Sequence, residues 1–292
     1  MRILVTGING QLGHDVVREL NKRGHESIGV DKEQMDLTVS SQIKEFIGKV
    51  NPEAIIHCAA YTAVDAAEDN EELCRKVNAY AVRDIAELAK ELEIPMIYIS
   101  TDYVFDGMKG IEDNNEEIDR SSYLEYIETD ETNPKNIYGQ TKLEGELYVK
   151  ELLEKYYIIR ISWVFGENGN NFIDTMLRLG KDRDRLSVID DQIGSPTYTK
   201  DLAHILADMI ETDKYGTYHV TNEGFCSWYD FAKEIFRVAN IDIDINPICT
   251  LGYNTKAQRP LNSKMSKDKI KENGFKKLRS WNDAVEEYIR NV

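Results

Sequence analysis

Residues 1–13 read MRILVTGINGQLG: a compact apolar run, Arg2 to Thr6, breaks at Gly7 and resumes as a helical pattern from Gln11. Leu12, Val16 and Leu20 recur every four residues, which puts them on one face of that helix. Between strand and helix, Gly7, Gly10 and Gly13 form a G-x-x-G-x-x-G run. Glycine at such a place serves a tight turn, a close backbone approach to a pyrophosphate, and close packing of helix on sheet. The unpaired N–H groups and positive dipole end of the helix would then face the phosphates. A glycine triplet alone says little, because turns are rich in glycine. Its position, opening the first helix after the first strand, gives it weight.

Ser27 to Val30 is a second apolar run that ends at Asp31. An acid there suits the ribose hydroxyls of a dinucleotide and repels a 2′-phosphate, which leans toward NADH; the neighbouring Lys32 keeps NADPH open. Asp36 and Leu37 stand where the adenine would lie. Ile43, Phe46, Ile47 and Val50 mark another helix, with Pro52 just beyond it, and Ala54 to Cys58 is an unbroken apolar strand. A long helical stretch follows, with Leu73, Val77, Ala81, Ile85 and Leu88 on one stripe. Met96–Ile99 and Ile158–Ile161 read as strands, with Tyr138 to Glu154 as the helix between them. Strands alternating with helices predict an α/β fold, a Rossmann-type doubly wound parallel sheet.

The second half is less regular: Phe172–Leu179, Leu202–Ile210 and Trp228–Val238 read as helices and Thr217–Val220 as a strand. The expected division is an NAD(P)-binding Rossmann domain over 1–165, with part of 195–222 returning to it, and a smaller, mainly sugar-nucleotide-binding lobe over 166–292. No Pro/Gly/Ser-rich linker separates them. Met108 to Glu128, rich in Asp, Glu and Asn, reads as a long polar loop, either disordered or a lid, with disorder favoured.

The chain has 292 residues, with Lys+Arg 36 against Asp+Glu 52 and a net charge of −16. At 41% hydrophobic it has enough apolar residues for a substantial core. The acidic balance argues against nucleic acid as a partner, since phosphate backbones demand clustered Lys and Arg. Cys58, Cys74, Cys226 and Cys249 show neither CxxC pairing nor metal-ligand spacing, and Cys58 reads as a small core residue. His57 and His219 lie in strand-like runs and read as core residues. The chain starts directly on a strand, and no apolar stretch nears the roughly 18–20 residues of a membrane span. A cytoplasmic protein without membrane contact is expected.

Chemistry enters with Tyr138 and Lys142. Spaced i and i+4 at the start of a helix, they share one face. The ammonium stabilises a phenolate and can hold a cofactor ribose, so the tyrosine can exchange a proton with a carbonyl oxygen. With 16 tyrosines in the chain the pattern alone is weak. However, Ser100-Thr101-Asp102 ends a strand, where ligands bind in open α/β sheets, so Thr101 can place its hydroxyl beside Tyr138.

GINGQLG, CAAYTAVDAAE, ISTDYVFDG, YGQTKLEGE and RISWVFG together resemble the extended short-chain dehydrogenase/reductases. AAYTAVDAAE, DQIGSPT and the Arg-Pro-x-x-Ser element at Arg259 to Ser263 point to the dTDP-4-dehydrorhamnose reductase branch, and the likeness covers nearly the whole chain. The resemblance implies Thr101, Tyr138 and Lys142 as the catalytic set. It implies Gly7, Gly10, Gln11, Leu12, Gly13, Asp31, Asp36, Leu37, Ala59, Ala60 and Lys142 as cofactor contacts. Thr62, Val64 and Trp163 would line the sugar pocket, with Asn171 and Arg259 toward the nucleotide end. A flat tryptophan suits a deoxysugar, and a guanidinium fork suits a diphosphate. Two departures stand out. The 108–128 stretch is longer and more acidic than is usual for the family. Some members also dimerise through magnesium held by glutamates, one just after the glycine loop, where this chain has Asp15. The metal is therefore not carried over, Mg2+ stays open, and so does a homodimer.

The expected activity is NAD(P)H-dependent reduction of the C4 ketone of a dTDP-linked 4-keto-6-deoxysugar, in dTDP-rhamnose and polysaccharide biosynthesis. The alternatives are another nucleotide-sugar reductase or epimerase, or a non-catalytic subunit related to that of methionine adenosyltransferase. Asp102 is followed by Tyr103, which leaves the acidic pair of the related dehydratases incomplete.

Overall fold

The computed structural model describes residues 1–111, 120–252 and 255–292. The first half alternates strand and helix: β1 (Arg2–Thr6), α1 (Gln11–Lys22), β2 (Glu26–Val30), α2 (Ser40–Val50) and β3 (Ala54–His57). Two short helices, α3 (Val64–Ala67) and α4 (Glu71–Arg75), lead through a π-turn at Lys76–Tyr80 into α5 (Ala81–Glu91). Then come β4 (Met96–Thr101), α6 (Ile137–Leu152) and β5 (Tyr156–Ile161). The second half carries β6 (Val164–Phe165), α7 (Phe172–Asp182), β7 (Arg185–Ile189), β8 (Ile193–Gly194), β9 (Thr197–Tyr198) and α8 (Thr199–Ile210). It closes with β10 (Gly216–His219), β11 (Cys226–Ser227), α9 (Trp228–Ala239), β12 (Asp244–Ile248), α10 (Asp268–Glu272) and α11 (Trp281–Asn291).

The main sheet runs β2-β1-β3-β4-β5-β10, every pair parallel, as the alternating pattern predicts. Strand side chains alternate between the two faces. Ile3, Val5, Ala54, Ile56, Ile97 and Ile99 pack with α1 and α8, whereas Leu4, Ile55, Met96 and Tyr98 pack with α2, α5 and α6. Both faces are covered, which is why these strands read as unbroken apolar runs. A separate core gathers Phe165, Ile173, Phe231, Ile235, Trp281 and Val285 beneath α7, α9 and α11. From β1 the chain turns one way to β2 and then returns to β3 on the other side, so the order reverses between β1 and β3. Ligands of open α/β sheets bind at the strand ends beside such a reversal.

Two expectations need correction. The stripe drawn through Leu73 and Val77 does not continue from α5: the π-turn inserts a residue, so Cys74 and Asn78 face the core and Leu73 is 43% exposed. Of the acidic stretch 108–128, residues 112–119 lie outside the described residues. The part that follows is anchored rather than loose. Tyr123 and Tyr126 are buried, Tyr126 stacks on Phe105 at 4.2 Å, and Arg120 pairs with Asp190 at 2.6 Å. Among the described residues no helix is long and apolar enough to cross a membrane.

Candidate active site

Gly7 has φ +72°, and a Cβ on it would stand 2.8 Å from the Ala59 backbone at the end of β3. A Cβ on Gly13 would lie 2.3 Å from the Gly7 carbonyl oxygen. Glycine is therefore required at both places: at the first by conformation and by space, at the second by space alone. The Gly10 N–H closes the turn onto the Gly7 oxygen at 3.0 Å. No side chain caps the first turn of α1, so its N–H groups are available to an anion. Asp31 braces this loop, its Oδ2 accepting from the Asn9 N–H at 2.9 Å.

Two cavities open around the loop. The smaller, about 320 Å³, is lined by Gly7, Asp31, Asp36, Leu37, Ala59 and Ala60, with Leu73 and Val77 forming an apolar wall. Leu73 is exposed because it faces this cavity rather than the core. Asp36 accepts from both the N–H and the hydroxyl of Thr38, which hold its carboxyl below the usual range. The larger cavity, about 620 Å³, runs from Gly7, Gly10, Gln11, Leu12 and Gly13 past Ala59 and Ala60 to Thr62, Val64, Thr101, Tyr138, Lys142 and Trp163.

Helix α6 presents Tyr138 and Lys142 because its start is pinned and closely approached. Asn136 Oδ1 caps it by accepting from the Gly139 N–H at 2.8 Å, and a Cβ on Gly139 would meet the Tyr103 carbonyl at 2.2 Å. Lys142 Nζ donates to the Ile99 carbonyl at 2.6 Å and lies 4.1 Å from the centroid of the Tyr98 ring. Burial pushes its pKa down to about 7, against the nearby Glu146 carboxylate. Burial pushes the Tyr138 phenol up, and the nearby Thr101 hydroxyl opposes that. Thr101 Oγ1 donates to Asp102 Oδ1 at 2.9 Å, and Asp102 Oδ2 accepts from Ser263 at 2.5 Å.

One turn beyond Lys142, Glu146 is fully buried and accepts from Arg160 Nε at 2.8 Å, Arg160 Nη2 at 2.7 Å and Ser100 Oγ at 2.6 Å. The four-residue step from Tyr138 through Lys142 to Glu146 is visible in the chain, but its partner on β5 is not. Asp102, Ser263, Tyr103 and Asp65 are further members of the site that spacing alone does not single out as functional. Ser263 is only one letter of the Arg-Pro-x-x-Ser element.

Trp163 sits at φ +49° and stacks on Trp228, 3.8 Å between ring centroids, with Phe172 4.7 Å beyond. These rings wall a third cavity of about 400 Å³ that also meets Tyr103, Gln192 and Arg259. Arg259 donates to Asp65 at 2.7 Å and to the Tyr103 hydroxyl at 3.1 Å. Asn171 does not belong to these cavity walls. It caps α7 by accepting from the Asp174 N–H at 3.1 Å, and its amide donates to the Tyr288 hydroxyl and Gly166 carbonyl. The same amide reaches Gln11 Oε1 at 3.4 Å, so Asn171 ties α7 to the glycine loop.

His57 is buried against Thr6 at 2.8 Å, and burial pushes it down to about 3, so it is neutral; burial and Arg160 lower His219 likewise. Burial raises the Cys58 thiol to about 12, which leaves no thiolate. Asp15 is buried and accepts from Thr199 Oγ1 at 2.6 Å. Among the described residues no group of three or more His, Cys, Asp or Glu is arranged to hold a metal.

A family model described as the RmlD substrate binding domain matches residues 1–292. The chain is 41% identical to the dTDP-4-dehydrorhamnose reductase of Aggregatibacter actinomycetemcomitans over 285 residues, 93% of this chain and 92% of that protein. Its fold matches the crystal structure of the dTDP-4-dehydrorhamnose reductase of Bacillus anthracis in complex with NADP. The TM-score there is 0.92 at 41% identity, covering 100% of this chain and 99% of that one. The UDP-glucose 4-epimerase of Thermus thermophilus, at 17% identity and a TM-score of 0.81, shares the fold.

Proposed function

The chain belongs to the dTDP-4-dehydrorhamnose reductase family, and from that premise we propose that it reduces the C4 ketone of dTDP-4-dehydro-L-rhamnose to dTDP-L-rhamnose. One observation carries the reading: Thr101, Tyr138 and Lys142 line the same cavity as the glycine loop. A reduced nicotinamide, when bound, supplies the hydride for C4. The residues fit such a group. The glycine cradle excludes side chains, the uncapped start of α1 offers N–H groups to a diphosphate, and Asp31 stands at the end of β2 for the ribose.

In this reading Tyr138 donates its proton to the oxygen developing charge at C4. Its raised pKa keeps it protonated until that charge develops. Lys142, close by and buried, holds the ribose and favours the phenolate that Tyr138 leaves behind. Trp163 gives the deoxysugar an apolar wall, with Thr62 and Val64 beside it. Arg259 grips the substrate diphosphate through its planar fork. A binding-only role has no use for the Thr101–Tyr138–Lys142 trio.

The test is spectrophotometric. NADH and NADPH oxidation is followed at equal concentration with freshly generated dTDP-4-dehydrorhamnose. Loss of absorbance that depends on the sugar nucleotide is expected, and its absence with both cofactors refutes the reading.

A further inference from the structure

The Thr101 hydroxyl carries a single proton, and the structure shows where it goes. Oγ1 donates to Asp102 Oδ1 at 2.9 Å and accepts from the Tyr103 N–H at 3.3 Å, and it lines the same cavity as Tyr138. A hydroxyl has one donor and two acceptor sites. With Asp102 ionised, the one donor is taken, and no proton of Thr101 is left for a substrate oxygen. Protonation of Asp102 on Oδ1 reverses the bond: the carboxyl donates to Oγ1, and the Thr101 proton is free to turn into the cavity.

We propose that Asp102 is a protonic switch for Thr101: ionised, it takes the Thr101 hydrogen bond; protonated, it releases that bond to the ketone oxygen beside Tyr138. The inference rests on the reductase reading above and makes Asp102 a positioning residue. Protons balance, because Asp102 keeps its own proton through the turnover while Tyr138 gives up the one that reaches the substrate.

The surroundings suit such a switch. Asp102 is 3% exposed, and among the described residues no cation forms an ion pair with it. Its remaining oxygen accepts from Ser263 Oγ at 2.5 Å, on the segment that also carries Arg259. Arg259 is directed to Asp65 and to the Tyr103 hydroxyl instead. Tyr103 flanks Asp102 on its own turn, while Tyr138 and Lys142 face the same cavity from α6. Burial raises the Asp102 carboxyl to about 6, and the hydrogen bonds from Ser263 and Thr101 oppose that rise. Both forms are therefore accessible near neutral pH.

The test separates Asp102 from Lys142, which also titrates. The ratio of kcat for the unsubstituted chain to kcat for Thr101→Val is measured from pH 5 to 8.5, then again with Asp102→Asn in both proteins. Any contribution of Lys142 cancels in each ratio. With Asp102 present, the ratio should rise by about 10²-fold as pH falls, in keeping with the usual worth of one donor to an oxyanion. The Asp102→Asn substitution supplies an amide that donates to Thr101 and accepts from Ser263, so in that background the ratio should be high and flat. Ser263→Ala removes a bond to the anion and should move the midpoint up by about one pH unit; this arm stands if the Asp102→Asn variant does not fold. A ratio that ignores pH with Asp102 present, or the same slope in both backgrounds, overturns the switch and leaves the reductase standing. An unsubstituted chain inactive on the keto-sugar overturns both.

Discussion

Asp65 on α3 holds Arg259 across 194 positions of chain, through a 2.7 Å contact from guanidinium Nη2 to carboxylate Oδ2. The other fork nitrogen donates to Tyr103, at the seam between the catalytic cavity and the aromatic one. A guanidinium fixed at two points is already oriented for a phosphate, so little freedom is lost on binding. Arg259→Lys keeps the charge but cannot span both partners. We expect KM for the nucleotide sugar to rise on the order of tenfold or more, with kcat within a few fold. Steady-state kinetics checks this, and a fall in kcat at unchanged KM counts against the clamp.

Tyr138→Phe removes the proton donor and little volume. Turnover should fall by about 10²–10⁴-fold, the usual worth of a positioned general acid. Cofactor affinity, measured by fluorescence titration, should stay near its original value, because the substitution leaves the glycine cradle and Lys142 in place. Near-normal turnover would remove Tyr138 from the mechanism.

Gly13→Ala tests the cradle. The added methyl would meet backbone, the Gly7 oxygen at 2.3 Å and the Gly7 carbon at 2.7 Å, and backbone cannot rotate away as a side chain can. The loop must shift, and NADPH binding by calorimetry should weaken by at least about tenfold. Gly24→Ala is the control for cofactor binding, since nothing lies within 4 Å of that position and its φ of +81° strains only a distant turn. Equal loss in both variants would make the effect one of general stability.

The parallel sheet was legible because its strands are buried on both faces and its helices carry one apolar stripe each, a signal that survives without tertiary knowledge. The π-turn was not, because a one-residue insertion shifts the stripe without changing composition: Leu73 reads as core and turns out to wall a cavity. Topology alone brings Tyr138, Lys142 and Thr101 together, since strand ends and helix starts meet on one edge of such sheets. Asp102 to Ser263 spans 161 positions and Asp65 to Arg259 spans 194, and no periodicity encodes contacts that long. Asn171 shows the local part of the signal: a polar residue before a helix is a cap, and here it caps α7 while its amide reaches Tyr288 and Gln11.

Lys142 ties stability to pH. Its folded pKa is about 7 against 10.5 for the free side chain, because burial disfavours the ammonium. Between those values the unfolded chain keeps a proton that the folded chain has lost, so stability contributed by this group rises with pH there. Below pH 7 the full cost of burying the charge is present. The cofactor-free protein should therefore gain on Lys142→Met by about 2 kcal/mol between pH 7 and 9 in urea unfolding. Parallel curves for the two proteins would mean that Lys142 is charged throughout.

The Glu146–Arg160 pair lies behind Lys142, both side chains essentially unexposed, with Lys150 a weaker third partner at 3.4 Å. Such a pair gains little over apolar residues of the same shape, but removing one member strands the other charge out of water. Glu146→Gln should therefore destabilise the chain by about 3–5 kcal/mol, while Glu146→Met with Arg160→Met recovers most of that in denaturant unfolding. Activity should not return with stability. The Glu146 carboxylate is the group that most favours the Lys142 ammonium, and Ser100, its hydrogen-bond partner, precedes Thr101. The double variant should thus fold yet lose turnover at pH 8 more than at pH 6, as Lys142 gives up its proton more easily. A double variant as active as the original at both pH values would reduce the pair to packing alone.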